Sequence, residues 1–339
     1  MLATVLQTEG STPTKAGAMA VIAGGQVVAG TVGGGAVEAW CEHEALAVLE
    51  RATSQVLMVH LKGDDIGEPD PICGGVMRVL LDPRPARHAA AFAEALAAVN
   101  RRERGCLLTT VRGEGSVQVT TEWLAEGRLE TRTSPPAVEC LKNAVGGEDS
   151  RRCVVSSSPG EGRIEVLSMP VNRRPLLVIV GGGHVGQAVA AQARLVGFEI
   201  IVIEDRREFA DESLFPAGTR VQVGDLAAEL AALDLDDDTF VVLVSRGHRL
   251  DVAALEVCLR RPAAYLGMIG SRRKVRMLRE DWTRSGRATV EELNRVYAPI
   301  GLDLGAATVP EIACSVVAQL VAVRRRGVAA RMPLEDSSR

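Results

Sequence analysis

The chain has 339 residues, of which 47% are hydrophobic and 24% charged, a length and composition that suit a globular protein of two domains. A formal net charge of −4 and an aromatic content of 3% provide no basic, base-stacking surface, so nucleic-acid binding is not expected. No apolar run reaches the ~18 residues of a membrane span, no basic-then-apolar leader is present, and the cysteines show no C-x-x-C spacing, so we expect a cytoplasmic protein with reduced thiols.

The N-terminal part of the chain predicts a mixture of strands and one helix. Its first strand begins at Leu2 without a polar segment before it, which leaves room for an upstream element. A hairpin is expected around Gly24 and Gly25, because an apolar run flanks this glycine pair on each side. The predicted strands span residues 2–6, 18–22, 26–29, 55–61 and 77–81.

A run of three glycines, Gly33, Gly34 and Gly35, precedes a predicted helix at residues 37–51. Successive glycines before a helix expose backbone N–H groups, which can hold an anion. The alternative is a tight strand-to-helix turn that needs positive φ angles. The two interpretations stay open at this point.

Cys73 is the cysteine whose surroundings favour a ligand role. An isolated cysteine is ordinarily a small buried hydrophobic residue. Here Gly74 and Gly75 follow the thiol directly, and a segment with two acids, Asp64 and Asp65, precedes it. These neighbours make Cys73 a candidate for contact with a bound group.

The pattern is least regular between residues 86 and 165. Its predicted elements are a helix at 86–100, strands at 106–111, 117–121 and 164–169, and an irregular connection rich in Ser, Pro and Gly at 133–162. A linker at 170–175 follows and predicts a domain boundary.

The most informative stretch begins at Leu176. Five consecutive apolar residues predict a strand that is buried on both faces and leads directly into Gly181-x-Gly183-x-x-Gly186. Helical apolar spacing, a second apolar strand and two acids follow in that order. Strand, glycine turn, helix, strand and acid form the dinucleotide-binding fingerprint in its full context, so a Rossmann-type unit is predicted.

Each residue of this fingerprint has its own expected function. Gly181 permits the tight turn, Gly183 lets a pyrophosphate approach the backbone, and Gly186 lets helix and strand pack closely. The helix that begins near His184 offers free N–H groups to a phosphate. Glu204, which Asp205 follows, stands where such folds place the acceptor for a ribose hydroxyl.

A carboxylate at the position of Glu204 favours NAD over NADP, because it repels a 2′-phosphate. Arg206 and Arg207 follow it closely and can soften that preference.

Further strands alternate with helical stretches as far as residue 269, which predicts a doubly wound parallel sheet. His248, Asp251, Ser271 and Arg272 follow the carboxyl ends of strands, where such sheets bind ligands. Asp251 can tune the basicity of His248, or His248 can cap the following helix. Arg272 opens a helix, where a cation is disfavoured unless an anion lies near, although a solvated charged face also explains it.

Thr308 and Glu311 have the spacing of a capping box and predict a last helix with one buried face. The predicted fold class is therefore α/β, with a C-terminal Rossmann-type doubly wound parallel sheet and an N-terminal mixed α+β domain. The expected domains are 1–170, with a variable connection at about 86–165, then 171–328, and a tail at 329–339.

Motifs from both halves of the chain recur together in one protein family. They lie at residues 8–13, 30–38, 73–75, 181–186, 204–206, 245–248, 267–271 and 299–305. In this order they resemble the xanthine dehydrogenase accessory protein family of the XdhC/CoxI type. The resemblance covers nearly the whole chain and is weakest between residues 86 and 165.

The resemblance implies an accessory protein that binds molybdenum cofactor, either molybdopterin or its dinucleotide form, protects it during sulfuration and delivers it. The implied recipient is an apo xanthine dehydrogenase-type molybdenum hydroxylase. A cysteine desulfurase as a second partner and a homodimer are implied as well.

Cys73 is then the first candidate for contact with molybdenum, since a thiolate is a soft ligand. The turn of Gly33, Gly34 and Gly35 would provide its backbone cradle. Many family members have a cysteine at the position of Ala36. Alanine supplies no thiol there, so a two-cysteine site is excluded.

Two other classes of function stay open beside this binding and delivery protein. An NAD(P)-dependent oxidoreductase would use the Rossmann site with His248 as acid or base, although residues 1–85 offer few convergent ionisable groups for a substrate. A nucleotidyl transferase acting on the cofactor would need a metal-carboxylate cluster, for which only Asp64 and Asp65 are candidates. The Rossmann pocket would accordingly bind NAD(P), the nucleotide tail of the cofactor, or no ligand.

Overall fold

The computed structural model describes residues 1–61, 74–113, 115–126, 151–156 (backbone only) and 163–329. The chain divides into two compact units, Met1–Arg173 and Arg174–Arg339. The first unit contains β1 (Leu2–Glu9), β2 (Met19–Ala23), β3 (Gln26–Gly30), α1 (Gly35–Arg51), β4 (Gln55–His60), β5 (Val76–Asp82), a 3-10 turn (Pro85–His88), α2 (Ala89–Asn100), β6 (Gly105–Arg112), β7 (Gln118–Ala125), β8 (Arg151–Ser156) and β9 (Arg163–Val171).

Two antiparallel sheets form the first unit. Five strands lie in the order β3-β2-β1-β5-β4, and four lie in the order β7-β6-β9-β8. Because side chains alternate along a strand, β5 directs Met77 and Val79 into the core beneath α1 and Leu80 into a second core. That second core also contains Leu107 and Leu167 of the four-stranded sheet, so the two sheets pack on each other.

The second unit is built on one parallel sheet. It contains β10 (Leu176–Val180), α3 (His184–Leu195), β11 (Glu199–Glu204), β12 (Arg220–Val223), α4 (Leu226–Ala232), β13 (Thr239–Leu243), α5 (His248–Cys258), β14 (Tyr265–Met268), α6 (Arg272–Arg284), α7 (Val290–Asn294), β15 (Val296–Tyr297) and α8 (Val309–Arg326). The strand order is β12-β11-β10-β13-β14-β15, which is the doubly wound order 3-2-1-4-5-6 when counted from β10. This confirms the predicted fold class.

Strand β10 shows why its sequence is continuously apolar. Val178 and Val180 pack into the core on one face of the sheet, and Leu177 and Ile179 pack into the core on the other. A strand covered on both faces has no solvent side that would favour polar residues.

Helix α8 begins as predicted. The Glu311 carboxylate accepts hydrogen bonds from the N–H groups of Ala307 and Thr308, each at 2.9 Å. Gln319, on the buried face of the helix, accepts from the Tyr265 hydroxyl at 2.6 Å and from the Gly301 N–H at 2.9 Å. These bonds attach the loop after β15 to the sheet.

Three elements differ from the prediction. Helix α1 begins at Gly35, two residues earlier than expected, because glycine φ angles bend the chain into the helix. Strand β8 lies inside the stretch expected to be an irregular connection, and β15 was not predicted because it has only two residues. The predicted tail at 329–339 lies almost wholly outside the described residues.

Within the described ranges, no helix combines the length and the apolar character needed to cross a membrane.

Candidate functional site

Three loops of the first unit lie in contact, and we refer to residues 10–14, 31–35 and 74–75 as the three-loop cluster. A Cβ atom on Gly75 would stand 2.5 Å from the carbonyl oxygens of Glu9 and Ser11. A Cβ atom on Gly33 would stand 2.7 Å from the Pro13 ring, and Gly33 has a φ of 128°. Both positions therefore require glycine, and the loop after β1 is held between the start of β5 and the glycine turn.

Glu38, in the first turn of α1, accepts hydrogen bonds from the glycine turn and fixes its conformation. Its Oε1 atom accepts hydrogen bonds from the Thr31 hydroxyl at 2.6 Å, the Gly34 N–H at 3.1 Å and the Val32 N–H at 3.3 Å. The Gly33 N–H donates to the Thr31 hydroxyl at 3.0 Å. The N–H groups of Gly33 and Gly34, for which anion binding and a tight turn were both left open, thus bond to side chains of the chain itself.

These contacts also set the charge of Glu38. The Thr31 hydroxyl lowers the pKa of Glu38, and although burial opposes this shift, the N–H groups of Gly34 and Val32 add to it. The carboxylate is therefore ionised at neutral pH.

The accessible part of the glycine turn lies at the start of α1. Gly34 and Gly35 have φ angles of 73° and 51°, and no described atom lies within 4 Å of the point where either would carry a Cβ. The first N–H groups of a helix have no intrahelical partner, and the N-cap residue, Gly34, has no side chain that could accept from them. The N–H groups of Gly35 and Ala36 therefore remain available to a ligand. Cys73 lies outside the described residues.

In the second unit, the glycine loop after β10 has the geometry of its fingerprint. Gly181 has a φ of 115°, a conformation that favours glycine. A Cβ atom on Gly186 would overlap the carbonyl oxygen of Gly181, so α3 can pack against β10 only with glycine there. Gly183 precedes α3, which begins at His184, and no described atom lies within 4 Å of its Cβ position. The backbone is therefore accessible at the position expected to face a pyrophosphate.

Glu204 is engaged by the loop itself. Its side chain is 2% exposed, and Oε2 accepts from the Gly182 N–H at 2.7 Å. Oε1 accepts from the N–H groups of Asp205 and Arg206, each at 3.1 Å, and from the Arg206 guanidinium at 3.0 Å. Burial alone would raise the pKa of Glu204, but hydrogen bonds with the side chains of Asp205 and Arg206, together with those from the Gly182 and Arg206 N–H groups, outweigh it and the pKa is lowered. The predicted ribose acceptor fixes the glycine loop to the end of β11.

The segment after Glu204 covers Gly182. A Cβ atom on Gly182 would overlap the carbonyl oxygen of Phe209. The Arg206 guanidinium lies 4.0 Å from the centre of the Phe209 ring, and the His184 ring meets this ring edge to face at 6.1 Å. These three side chains therefore form a small cluster beside the glycine loop.

Asp205 is the more accessible of the two neighbouring acids. Its side chain is 26% exposed, and Arg246 Nη2 lies 3.0 Å from its Oδ2. Hydrogen bonding to Glu204 raises the pKa of Asp205. A ligand at this rim would reach Asp205 before Glu204.

Asp251 is buried and connects two elements of the second unit. Its Oδ1 atom accepts from the Ser245 N–H at 2.9 Å, which ties the first turn of α5 to the end of β13. Burial raises the pKa of Asp251 to about 6. The side chain of His248 lies outside the described residues, and so does the predicted His248–Asp251 pair. Gly247, not His248, occupies the N-cap position of α5.

Ser271 and Arg272 open α6 as predicted. The Ser271 hydroxyl accepts from the Lys274 N–H at 3.4 Å, so Ser271 is the helix cap. Arg272 Nη2 lies 3.4 Å from the Asp303 carboxylate. The cation at this helix start thus has a carboxylate of the same unit beside it.

Among the side chains that the structure describes, no cluster of three or more His, Cys, Asp or Glu residues is arranged to hold a metal ion. Cys41, Cys106 and Cys258 are buried thiols, and Cys314 is exposed. Burial raises the pKa of Cys41 and of Cys258 to about 12, so both are poor thiolate ligands at neutral pH.

Comparison with known proteins agrees with this architecture in both units. Residues 177–320 match the model of the XdhC Rossmann domain, and residues 1–61 match the model of the XdhC and CoxI family. A protein of Bacillus subtilis that is named as a probable xanthine dehydrogenase component is 23% identical over 334 residues, which cover 96% of this chain and 93% of that protein.

A second relative, the uncharacterized protein YqeB of Escherichia coli K12, is 33% identical over 225 residues. The match covers 63% of this chain and 40% of YqeB, so it spans less than half of that protein's length. A crystal structure of a protein named xanthine dehydrogenase from Bacillus halodurans has a TM-score of 0.76 at 21% identity, covering 96% of this chain and 91% of that chain. This last likeness concerns the fold.

The fold and the glycine loop define a two-unit α/β protein whose second unit is a Rossmann domain. With both family models matched in chain order, the chain belongs to the XdhC and CoxI family of xanthine dehydrogenase accessory proteins.

Several contacts at these sites were not predicted. Glu38 follows Gly34 by four residues, and an acid in the first helical turn is a usable signal for a carboxylate that closes the preceding turn. The cluster of Arg206, Phe209 and His184 has no comparable signal in the sequence, because it depends on how the chain turns after β11.

Proposed function

We propose that this protein binds molybdenum cofactor in its first unit and delivers it to an apo xanthine dehydrogenase-type molybdenum hydroxylase. Membership of the accessory family supports the proposal, as does the name of the Bacillus subtilis relative, which associates that protein with xanthine dehydrogenase. The free thiols of the described cysteines fit a reducing compartment such as the cytoplasm.

The observation that carries the proposal is the three-loop cluster. Its loops are separated in sequence, yet the loop after β1 touches both Gly75 and Gly33 at positions where only glycine fits. Such close backbone packing gives the turn before α1 and the segment after Cys73 a fixed framework. Fixed loops that expose backbone N–H groups are suited to holding a bulky anionic group.

The residues at this cluster fit the chemistry of the cofactor. The N–H groups of Gly35 and Ala36 would hold its phosphate, in the position that a helix start offers to an anion. The Cys73 thiol is the soft donor that molybdenum and its sulfur ligands favour. When bound, the cofactor supplies the molybdenum centre that the recipient enzyme uses, and this chain would bind, orient and shield it.

For the second unit we propose that the backbone of Gly183 and the start of α3 bind the phosphate of a nucleotide. The accessible backbone of Gly183 supports this, and the ligand would be the nucleotide tail of the cofactor or NAD(P). Calorimetry with NAD, NADP and a cytidine or guanosine nucleotide separates these ligands. Glu204 would contribute little to a choice between NAD and NADP, since Arg206 neutralises it.

The test of the main proposal is retention of molybdenum. The purified protein is loaded with molybdenum cofactor and passed through gel filtration, and the metal is counted in the protein peak. We expect a near-stoichiometric amount for the wild type and a clear loss for Cys73→Ala.

Cys314→Ala is the matched control, because Cys314 is an exposed thiol in the other unit. This variant should retain as much molybdenum as the wild type. Absence of molybdenum from the wild type would contradict the proposed function, and equal retention by Cys73→Ala would remove Cys73 from the site.

A further inference from the structure

Beside the three-loop cluster, residues from both sheets of the first unit line a cleft. It consists of two cavities of about 680 and 200 Å³, which share Met58, Arg78 and Arg163 in their walls. We refer to both together as the inter-sheet cleft. Its volume lies in the range of small-molecule sites, which extends from about 300 to 1,000 Å³.

Both polar and apolar side chains line the cleft. Gln7, Glu9, His60, Arg78, Arg163 and Glu165 supply donors and acceptors, and Val56, Met58, Val76, Val111 and Val117 supply the apolar surface. Met58 is 55% exposed and offers its apolar side chain to the cleft from β4, the edge strand of the five-stranded sheet. A flat ring with a polar edge suits a wall of this kind.

A bidentate ion pair forms the fixed part of the wall. Arg78 Nη2 lies 2.9 Å from Glu165 Oε2, and Nη1 donates to Oε1 at 3.2 Å. The Glu165 side chain is 3% exposed and that of Arg78 is 21% exposed, so the guanidinium presents part of its surface to the cleft. A paired guanidinium keeps one orientation and can donate further hydrogen bonds.

The charges of the cleft balance. The two cationic side chains of the wall, Arg78 and Arg163, are matched in number by the two carboxylates, Glu9 and Glu165. A site for a bare phosphate would carry an excess of positive charge, and a site for a metal ion an excess of negative charge. Balanced donors and acceptors instead favour a neutral heterocycle that has both kinds of group on its edge.

The cleft also adjoins the site already proposed. Glu9 and Val76 pair across β1 and β5, and Gly10 and Gly75 of the three-loop cluster lie directly beside them in the chain. A ligand whose phosphate or metal-binding end is held by the loops can therefore extend its ring into the cleft.

We propose that the inter-sheet cleft receives the fused heterocyclic ring of the cofactor, with the ring's amide and amino edge facing Glu9, His60, Arg78 and Arg163. This inference rests on the proposed function, because it places one part of the same ligand. A pterin carries an oxo group, a ring N–H and an amino group on a single edge, which matches the mixture of acceptors and donors in the wall.

The test uses free pterin, whose fluorescence reports binding, and the full chain without metal. We expect saturable binding to the wild type. The double variant His60→Ala/Arg163→Ala should weaken it by about tenfold or more, since one or two hydrogen bonds to charged groups are lost. Both side chains are exposed, so the variant should fold normally, which far-UV circular dichroism checks.

Arg51→Ala is the matched control, because Arg51 ends α1 on the opposite face of the five-stranded sheet and should not affect binding. Lumazine, which has an oxo group in place of the pterin amino group, should bind more weakly than pterin. An absence of pterin binding, an unchanged affinity in the double variant, or equal affinity for lumazine would overturn the inference.

These results can be told apart from a failure of the proposed function. If the wild type retains molybdenum but does not bind pterin through these residues, the cleft is not the ring site and the cofactor binds elsewhere in the protein. If pterin binds through these residues but molybdenum is not retained, the ring site stands and the delivery function fails.

Discussion

Three carboxylates, two of which the sequence offers to ligands, are used by the chain to fix its own loops. Glu38 accepts from the glycine turn before α1, and Glu204 accepts from Gly182 in the glycine loop after β10. Asp251 binds the backbone at the end of β13 in the same manner. In each case a buried or half-buried carboxylate satisfies backbone N–H groups that have no partner in a regular element. Ligand binding at these loops then depends on the backbone groups that remain.

The pKa of Asp251 has a consequence for stability. Burial raises this pKa to about 6, so the folded protein favours the protonated acid. Below the ordinary pKa of about 4, the acid is protonated in both the folded and the unfolded protein, and its contribution to the stability of the folded protein is fully present. As the pH rises through about 6 this contribution is lost, which lowers the free energy of unfolding by roughly 2–3 kcal/mol in total. Asp251→Asn, which imitates the neutral acid, should be more stable than the wild type at pH 8, and this gain should shrink towards pH 4.

Urea unfolding at several pH values measures this difference. Asp211→Asn is a suitable control, because the Ser213 contacts lower the pKa of Asp211 and its replacement should give no gain at pH 8. A lower stability of Asp251→Asn than of the wild type at pH 8 would contradict the assignment.

Among the structural elements, the glycine loop after β10 contains one glycine that the fold requires and another that we expect to matter for ligand binding. Gly186 is required by close packing of α3 on β10, whereas Gly183 has space for a side chain and a φ of −68° that any residue adopts. Gly186→Ala should therefore destabilise the protein by about 3 kcal/mol or more, in the manner of other overpacked sites. Gly183→Ala should change the unfolding free energy by about 1 kcal/mol or less.

Thermal and urea unfolding of the two variants provide the comparison, and nucleotide titration of Gly183→Ala adds the functional measurement. If Gly183 faces a phosphate, its variant should be folded yet bind nucleotide more weakly. Equal destabilisation by the two substitutions would show that the loop geometry is wrong.

The sequence predicted most of the second unit, because every central strand there is a continuous apolar run between recognisable turns. Strand β10 and the two acids at the end of β11 follow directly from this pattern. Strand β8 was not predicted, since its residues, Arg151–Ser156, lie in a stretch rich in Ser, Pro and Gly whose local preferences favour loops. Its pairing with β9 is a tertiary contact that local propensity does not contain.

Candidate site residues were predicted less completely than the fold. The glycines of both turns follow from their spacing, because positive φ and close approach require them. The partners of Glu38 and Glu204 could not be predicted, since they depend on the exact path of a few loop residues. The inter-sheet cleft joins residues from β1, β4, β5, β6 and β9, and no local pattern in the sequence relates these strands.

At the scale of the whole molecule, two units with separate cores share one chain, and each carries a glycine turn that leads into a helix. A protein that holds a cofactor for transfer needs a site that is firm enough to protect it and accessible enough to release it. The three-loop cluster and the inter-sheet cleft offer these properties in the first unit. These properties are consistent with the carrier function that we propose for the first unit, and with the nucleotide site that we propose for the Rossmann domain.

The most direct test of the proposed carrier function is to measure transfer of the cofactor to a recipient enzyme. The protein is loaded with molybdenum cofactor, freed of excess cofactor and mixed with an apo xanthine dehydrogenase-type hydroxylase, and the hydroxylase activity is followed over time. We expect the loaded protein to activate the hydroxylase faster and to a higher final level than the same amount of free cofactor, while the loaded protein loses its molybdenum. Activation no better than with free cofactor, or molybdenum that stays with the loaded protein, would contradict a function in delivery.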